Sequence, residues 1–205
     1  MLGGIVEDTK IVVLAGGKSS RFGSNKAKAF WNGRTILEEI ISRVHKVSDN
    51  IAVSIGRKDN YPEVKLEKIV DLEPGLGPLG GLYSCLKKVR ENRVMLIACD
   101  MPFVDPNFID FLLKIKSYAP IIVPFVNKKY EPLHAIYHKS LLPIISELLK
   151  QRRLKMSHLF ELVPIRRVTE DQIPNSFDIQ QIFLNINTQE QYNSLITETK
   201  NSRCS

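Results

Sequence analysis

The sequence predicts an α/β fold in which a mostly parallel sheet is covered by helices on both faces. Short apolar runs alternate along the chain with segments of helical periodicity, which is the order expected of strands joined by crossover helices. The first apolar run, Ile11 to Leu14, ends in a glycine-rich loop ahead of a helical pattern, as in Rossmann-like three-layer folds. The length of 205 residues suits one domain with a sizeable core, so residues 1–205 are expected to form a single domain.

The elements follow from these patterns in chain order. Apolar runs of strand length predict strands at 10–15, 51–55, 67–70, 94–98 and 121–125. Helical patterns predict helices at 35–47, 79–91, 106–117, 140–151, 157–162 and 188–198. Thr35 and Glu38 form a capping box at the start of the first helix. Asp105 before a proline, and Thr188, mark the starts of two others. Residues 169–181 are expected to form a surface loop, and residues 199–205 a frayed tail.

The charge balance is basic, with 29 lysines and arginines against 22 acidic residues and a formal net charge of +7. A basic protein favours anionic partners such as nucleotides, phosphorylated substrates or nucleic acid. The basic runs at 87–93 and 150–155 lie in helical patterns without interleaved aromatic residues, so they are interpreted as solvated helix faces. Nucleic acid is therefore not expected as a partner.

Cysteine usage and hydropathy bear on the compartment. Cys85, Cys99 and Cys204 form neither a Cys-x-x-Cys pair nor an even disulfide framework, which is typical of a reducing compartment. The apolar run at Ile11 has only strand length and ends in glycines, unlike a signal peptide, and no run approaches the roughly 20 apolar residues that span a bilayer. We expect a cytoplasmic protein without membrane association, and a monomer is favoured.

The loop from Leu14 to Lys26 combines paired glycines, three serines and three cations. Gly16 and Gly17 lack a Cβ, so their backbone N–H groups can approach a phosphate closely. Lys18, Arg21 and Lys26 add positive charge, which indicates a nucleotide-phosphate loop. It is not a Walker loop, because the first glycine of that motif would fall inside the strand.

A second candidate is Asp100, which ends the apolar run Ile97-Ala-Cys and is followed closely by Pro102. A carboxylate at the carboxyl end of a central parallel strand faces the crevice where open α/β sheets bind ligands. Beside a phosphate loop, its natural role is to bind Mg²⁺, which takes one or two carboxylates plus phosphate oxygens.

The segment from Asp71 to Gly81 contains four glycines and two prolines after an apolar run of strand length. Gly75-x-Gly77-x-x-Gly80 matches a dinucleotide-binding fingerprint between a strand and a helix. An NAD-dependent oxidoreductase is therefore an alternative interpretation. Pro78 stiffens the turn and a phosphate loop already follows the first strand, which argues against that interpretation.

Two later segments carry polar residues at strand-like spacing. Residues 131–138 alternate like a strand, so His134 and His138 would lie about 13 Å apart and are not expected to share a metal ion. This strand is interpreted as lining the acceptor side of the cleft. Asn185 and Asn187 are expected to lie on one face of another strand and to point into the site.

The pattern Leu-Ala-Gly-Gly-x-Ser-x-Arg-x-Gly-x-x-Lys from Leu14 to Lys26 resembles the signature of sugar-phosphate and cofactor nucleotidyltransferases. It is most similar to the molybdenum cofactor guanylyltransferases, the MobA family, since relatives acting on other substrates usually carry Leu-Ala-Ala-Gly. The segments Cys-Asp-Met-Pro, Gly-Pro-Leu-Gly-Gly, Pro-Leu-x-Ala-x-Tyr and Asn-x-Asn-Thr resemble family signatures in the same order. The resemblance covers Ile11 to about Tyr192 and implies a fold of the nucleotide-diphospho-sugar transferase type.

The resemblance also implies an activity, namely Mg²⁺-dependent transfer of GMP from GTP to molybdopterin or the molybdenum cofactor, with release of pyrophosphate. On this basis the part to about residue 100 binds GTP and residues 101–198 bind the acceptor. The implied catalytic residues are Lys26, Arg21 and Asp100, and Asp100 is the implied metal ligand. The implied nucleotide- and cofactor-binding residues are Leu14, Ala15, Gly16, Gly17, Lys26, Ser54, Asp71, Gly77, Gly81, Asp100, Asn185 and Asn187.

The second strand departs from the family pattern at Ser54, where the family tends to carry asparagine. The serine hydroxyl can still form a hydrogen bond to the nucleoside, but it lacks the amide group of asparagine, which both donates and accepts. A cytidylyltransferase, or a nucleotidyltransferase acting on a different phosphorylated acceptor, therefore stays an alternative. A nucleotide-binding regulator without catalysis is another, although Lys26 and Asp100 argue against it.

Overall fold

The structure is a computed structural model that describes residues 8–16, 26–31, 33–57 and 60–194, with Lys26 described by its backbone alone. In chain order the strands are β1 (Thr9–Leu14), β2 (Phe30–Trp31), β3 (Arg34–Thr35), β4 (Ile51–Gly56), β5 (Glu67–Val70), β6 (Arg93–Ala98), β7 (Ile121–Val126), β8 (Lys129–Tyr130), β9 (His134–His138) and β10 (Ile165–Thr169). The α-helices are α1 (Ile36–Val44), α2 (Gly77–Lys88), α3 (Pro106–Leu113), α4 (Leu142–Lys150), α5 (Met156–Phe160) and α6 (Ile179–Ile182). Short 3₁₀ helices span Lys26–Lys28, Lys139–Leu141 and Glu170–Gln172.

Within these residues one eight-stranded sheet has the order β10-β7-β9-β6-β1-β4-β5, with β8 paired to β7. β6, β1, β4 and β5 run parallel, whereas β9 is antiparallel to both β6 and β7. β10 is parallel to β7. Since β9 is antiparallel to both of its neighbours, β7 runs in the same direction as β6. The carboxyl ends of β7 and β10 therefore lie at the same edge of the sheet as those of β1, β4 and β6. The prediction of a mostly parallel sheet is confirmed.

Alternating side chains of the strands form two hydrophobic layers, one on each face of the sheet. Ile11 and Val13 of β1 pack on the face covered by α1 and α3, whereas Val12 packs on the face covered by α2, α4 and α5. The inner strands β1, β4 and β6 are buried almost throughout, as expected for strands covered on both sides. The predicted helices on both faces are therefore confirmed.

The predicted helix starts agree with the cap geometry. The Thr35 hydroxyl accepts a hydrogen bond from the Glu38 N–H at 3.2 Å, and the Glu38 carboxylate accepts one from the Thr35 N–H at 2.7 Å. The Asp105 carboxylate accepts a hydrogen bond from the Asn107 N–H at 2.7 Å, at the start of α3. The Thr188 hydroxyl accepts one from the Gln191 N–H at 3.2 Å, and residues 189–194 are helical. The rest of the predicted 188–198 helix and the 199–205 tail lie outside the described residues.

The structure also corrects some predictions. The expected loop at 169–181 ends inside α6 (Ile179–Ile182), whose four residues are too few for a helical period to show in the sequence. β10 was not predicted, because among the described strands it pairs with β7 alone and its edge position admits two arginines. The expected strand at Asn185–Asn187 is wrong: residues 184–187 have no sheet pairing.

Membrane association was not expected from the sequence. Across the described ranges, no helix combines the length and apolar character that crossing a membrane would require.

Candidate active site

The glycine-rich segment begins at the carboxyl end of β1, in the middle of the sheet. The Ala15 N–H donates to the Ser54 carbonyl of β4 at 2.8 Å, and the Cys99 N–H donates to the Leu14 carbonyl at 3.3 Å. Leu14 is in register with Ser54 on one side and with Ala98 on the other. The segment after Leu14 therefore begins between the carboxyl ends of β4 and β6.

Gly16 is required by the packing of the backbone at this point. A Cβ at residue 16 would lie 2.5 Å from the Gly56 backbone nitrogen and 2.9 Å from its Cα. Gly56 itself has a φ of +67°, a conformation that favours glycine. The two glycines thus allow the start of the loop to lie directly against the end of β4.

Gly16→Ala is expected to destabilise the protein by about 1–3 kcal/mol, because the new methyl group meets rigid backbone rather than a side chain that can move. Urea unfolding measures the change. Gly81→Ala is the matched control, since its Cβ would meet Leu14 Cδ2 at an ordinary 3.6 Å and it lies within α2. An unchanged urea midpoint for Gly16→Ala would show that the close approach does not constrain the fold.

Tyr61 is a site residue that sequence reasoning missed. It is 1% exposed, and its hydroxyl donates to the Ala15 carbonyl at 2.8 Å. The Lys28 ammonium lies 5.7 Å from the centre of its ring. Tyr61 therefore contacts the chain both before and after residues 17–25. The available signal was a single aromatic residue in an otherwise polar stretch after β4.

Several predicted phosphate-binding residues fall where the structure gives no description. Gly17, Lys18 and Arg21 lie outside the described residues, and the backbone of Lys26 begins a 3₁₀ helix. Their roles stay predictions.

Side chains and backbone from β1, β4, the end of β5 and α2 come together beside the start of the glycine-rich segment. Ser54 is 2% exposed, and its hydroxyl lies 3.5 Å from Asp71 Oδ1. A Cβ at Gly81 would meet Leu14 Cδ2 at 3.6 Å and Asp71 Oδ1 at 4.0 Å. The structure therefore brings Leu14, Ser54, Asp71 and Gly81 together, as the sequence predicted for residues of one site.

The electrostatics of this cluster centre on Asp71, which is half-buried. Burial raises the pKa of the Asp71 carboxyl, while the Ser54 hydrogen bond and the charge of Lys88 act in the opposite direction. The Asp71 N–H donates to the Gly56 carbonyl at 2.9 Å, which ties the residue to the end of β4. A carboxylate held in this way can accept hydrogen bonds from ribose hydroxyls or base N–H groups.

The glycines of the second glycine-rich segment have separate structural reasons. Gly75 and Gly77 have φ values of +85° and +64° in the turn that opens α2. Gly80 allows close packing, because a Cβ there would lie 2.4 Å from Leu76 Cβ. Turn geometry and packing thus account for the spacing that matches a dinucleotide fingerprint.

Asp100 follows β6 at the same sheet edge and is partly buried. Its carbonyl accepts a hydrogen bond from the Ile186 N–H at 2.9 Å. A second carboxylate, Glu131, lies nearby: burial raises the pKa of the Glu131 carboxyl, Lys129 lowers it, and the charge of Asp100 raises it further. The sequence interpretation treated residues 131–138 as one alternating strand and did not place Glu131 beside Asp100.

Asp100 and Glu131 offer the oxygen ligands that a magnesium ion takes. In the described part of the chain, no three His, Cys, Asp or Glu side chains come together as a metal cage. Mg²⁺ commonly takes only one or two protein carboxylates and completes its shell with phosphate oxygens and water. Asp100, with Glu131 close by, meets that requirement.

Asn185 and Asn187 lie on the segment that passes Asp100, although this segment is not a strand. Ile186 between them is 2% exposed, and it is held by the hydrogen bond to Asp100. The Asn185 side-chain amide donates to the Phe183 carbonyl at 3.2 Å, and Asn187 is exposed. The structure brings both residues near the Asp100 edge through one backbone hydrogen bond rather than through a sheet.

His134 is fully buried in an aromatic layer and is not a surface ligand. Its ring lies 5.7 Å from that of Phe108 and 5.5 Å from that of Phe183. Neither ring nitrogen finds a hydrogen-bond partner among the described residues. His138, at the other end of β9, instead bonds Ser140 at 2.9 Å.

Burial lowers the pKa of His134 to about 4 from its ordinary 6.5. In the unfolded state His134 keeps its ordinary pKa and therefore binds a proton at a higher pH than it does in the folded state. The free energy of unfolding is thus expected to fall as the pH drops from 6.5 towards 4, by up to about 3 kcal/mol. Urea unfolding at several pH values, compared between the wild type and His134→Leu, measures this. The variant should lose stability less steeply below pH 6.5. His45→Gln, at an exposed position, is the control, and parallel curves for His134→Leu and the wild type would contradict the expectation.

Comparisons with known proteins add independent information. A family model described as a MobA-like NTP transferase domain matches residues 11–165. A probable molybdenum cofactor guanylyltransferase from Clostridium perfringens is 32% identical over 194 residues, which cover 90% of this chain and 94% of the relative. Another from Carboxydothermus hydrogenoformans is 28% identical over 191 residues, covering 93% and 96% respectively.

A solved structure is similar in fold. Molybdopterin-guanine dinucleotide biosynthesis protein A from Archaeoglobus fulgidus superposes with a TM-score of 0.81 and 22% sequence identity. The match covers 94% of this chain and 99% of that protein. It confirms the predicted fold class.

Proposed function

Since the chain belongs to the MobA-like NTP transferase family and is a nucleotidyltransferase, we propose that it transfers GMP from GTP to the terminal phosphate of molybdopterin or its molybdenum form, releasing pyrophosphate. The names of the curated relatives support this choice of nucleotide and acceptor. The observation that carries the proposal is the position of Leu14 at the end of β1. This strand lies between β4, which contains Ser54, and β6, which leads to Asp100. On this proposal, a nucleoside site around Ser54 and a carboxylate site at Asp100 flank the start of the glycine-rich segment.

The nucleoside is proposed to lie against Leu14, Ser54 and Asp71, with Gly77 to Gly81 as the floor under guanine. Asp71 accepts hydrogen bonds from the nucleoside, and its position is supported by its contacts with Ser54 and Gly56. A buried site that hydrogen-bonds one base rejects a base that leaves its polar groups unpaired, at about 1–3 kcal/mol for each group.

The phosphates are proposed to lie over the segment from Ala15 to Lys26. Backbone N–H groups at Gly16 and Gly17 and the Arg21 side chain hold the leaving pyrophosphate. Lys26 neutralises charge that develops during transfer. The attacking oxygen already belongs to an anionic phosphate, so no general base is needed and the protein contributes mainly alignment and charge.

Asp100 is proposed to hold Mg²⁺, which would neutralise negative charge on the nucleotide phosphates. Asn185 and Asn187 lie on the segment tied to Asp100 and are proposed to contribute polar contacts at this side of the cleft. In this arrangement the part of the chain to about residue 100 binds GTP, and residues 101–198 bind the acceptor.

A second candidate is cytidylyl transfer, which the small side chain of Ser54 favours because it leaves room for a different base or a water molecule. The oxidoreductase interpretation is set aside, since the family match spans the second glycine-rich segment.

Competition of the four nucleoside triphosphates for one acceptor tests the proposal. With molybdopterin and Mg²⁺ present, GTP is expected to be used at least about ten times more efficiently than CTP or ATP, which corresponds to about 1.4 kcal/mol. Mass spectrometry of the products identifies the nucleotide transferred. Equal or preferred use of CTP would assign the protein to cytidylyl transfer instead.

A further inference from the structure

Three partly exposed aromatic rings lie together on the other half of the sheet from the proposed nucleoside site. Phe125 of β7 and Tyr130 of β8 have ring centres 4.9 Å apart, and Tyr130 and Phe160 of α5 have ring centres 5.0 Å apart. The turn between β7 and β8 uses two residues with positive φ, Asn127 and Lys128. This turn sets Phe125 directly opposite Tyr130.

Arg167 of β10 lies over these rings. Its guanidinium carbon is 5.0 Å from the centre of the Phe125 ring and 5.5 Å from that of Tyr130. The side chain is exposed, and no carboxylate in the described residues forms an ion pair with it. An exposed planar cation stacked on rings, with no acidic side chain paired to it, is suited to a planar ligand ring that carries hydrogen-bond acceptors.

The surface formed by Phe125, Tyr130 and Arg167 lies on the same face of the sheet as Leu14. Arg167 is in register with Val123, two residues before Phe125, so the three side chains share one face of the sheet. Tyr130 and Leu14 pack against the same hydrophobic layer, which places this surface on the same face as the proposed nucleoside site.

The strand order sets an approximate spacing between this surface and the strand that leads to Asp100. β7 and β6 are separated only by β9, which is about 10 Å at the usual strand spacing. Phe125 lies next to the carboxyl end of β7, at the same edge as Asp100. A molecule with a phosphate beside Asp100 and a ring system about 10 Å away could therefore reach both.

We propose that Phe125, Tyr130 and Arg167 bind the planar heterocyclic ring system of the phosphorylated acceptor. The proposal rests on the proposed function, since it concerns the acceptor of that reaction. It makes Arg167 a determinant of acceptor affinity that takes no part in binding the nucleotide.

Steady-state kinetics of Arg167→Ala test this directly. The KM for molybdopterin is expected to rise about tenfold, while the KM for GTP stays within twofold of the wild type. Arg167→Lys keeps the positive charge but loses the planar guanidinium, so its KM for molybdopterin should lie between those of the wild type and Arg167→Ala. Arg166→Ala is the matched control, because the Arg166 side chain donates to Gln172 at 2.9 Å and the residue is in register with Ile122, which packs on the opposite face.

A binding measurement separates this inference from the proposed function. Titration of the protein into a fluorescent free pterin reports ring binding without turnover, and Arg167→Ala should weaken it about tenfold relative to Arg166→Ala. A wild type that uses GTP and molybdopterin, with an acceptor KM unaltered in a folded Arg167→Ala, would overturn the inference alone. A wild type that binds the pterin through Arg167 but transfers no GMP would support the inference and contradict the proposed function.

Discussion

Replacing Asp100 with alanine is expected to reduce Mg²⁺-dependent turnover by at least about two orders of magnitude, equivalent to roughly 2.7 kcal/mol in the barrier. The carboxylate stands where a strand of the sheet centre ends beside the glycine-rich segment. The fold should persist, because the hydrogen bond from Ile186 goes to the Asp100 backbone carbonyl, which alanine retains. Turnover measured across a magnesium titration reports the loss of activity, and the thermal unfolding midpoint reports whether the variant stays folded.

Asp110→Ala is the control for this experiment, because Asp110 is an aspartate of α3 that pairs with Lys114 at the surface. It should leave turnover unchanged. Normal turnover by a folded Asp100→Ala variant at ordinary magnesium concentrations would remove Asp100 from the metal site.

Lys26→Ala is expected to lower kcat more than it raises the KM for GTP, because Lys26 is proposed to meet charge that grows as the transfer proceeds. Lys18→Ala is the matched comparison within the same glycine-rich segment. It should mainly produce a modest rise in KM, as removal of a peripheral charge would. Steady-state kinetics at saturating acceptor measure both variants.

A reversed order would contradict these assignments. If Lys18→Ala proved the more damaging change in kcat, the catalytic charge of the segment would belong to Lys18.

The central part of the fold could be predicted from the sequence because β1, β4 and β6 are buried on both faces and therefore appear as continuous apolar runs. The edge strand β10 could not, since exposure allows it to contain Arg166 and Arg167. Helix α6 is too short to show a period. The segment at Asn185 alternates as a strand would, but no neighbouring strand pairs with it.

The candidate site divides in the same way. Asp100, Ser54 and Asp71 follow or end strands, so their meeting at one sheet edge could be predicted from parallel topology. Tyr61 and Glu131 could not be placed, because their positions depend on how loops pack across the edge. The hydroxyl of Tyr61 reaches a backbone carbonyl 46 residues earlier in the chain.

The most direct measurement is the stoichiometry of the reaction with GTP, Mg²⁺ and molybdopterin. One pyrophosphate should be released for each product molecule that gains a GMP unit, and little should be released when molybdopterin is omitted. Release of orthophosphate instead of pyrophosphate, or consumption of GTP without a product carrying GMP, would contradict nucleotidyl transfer from GTP to this acceptor.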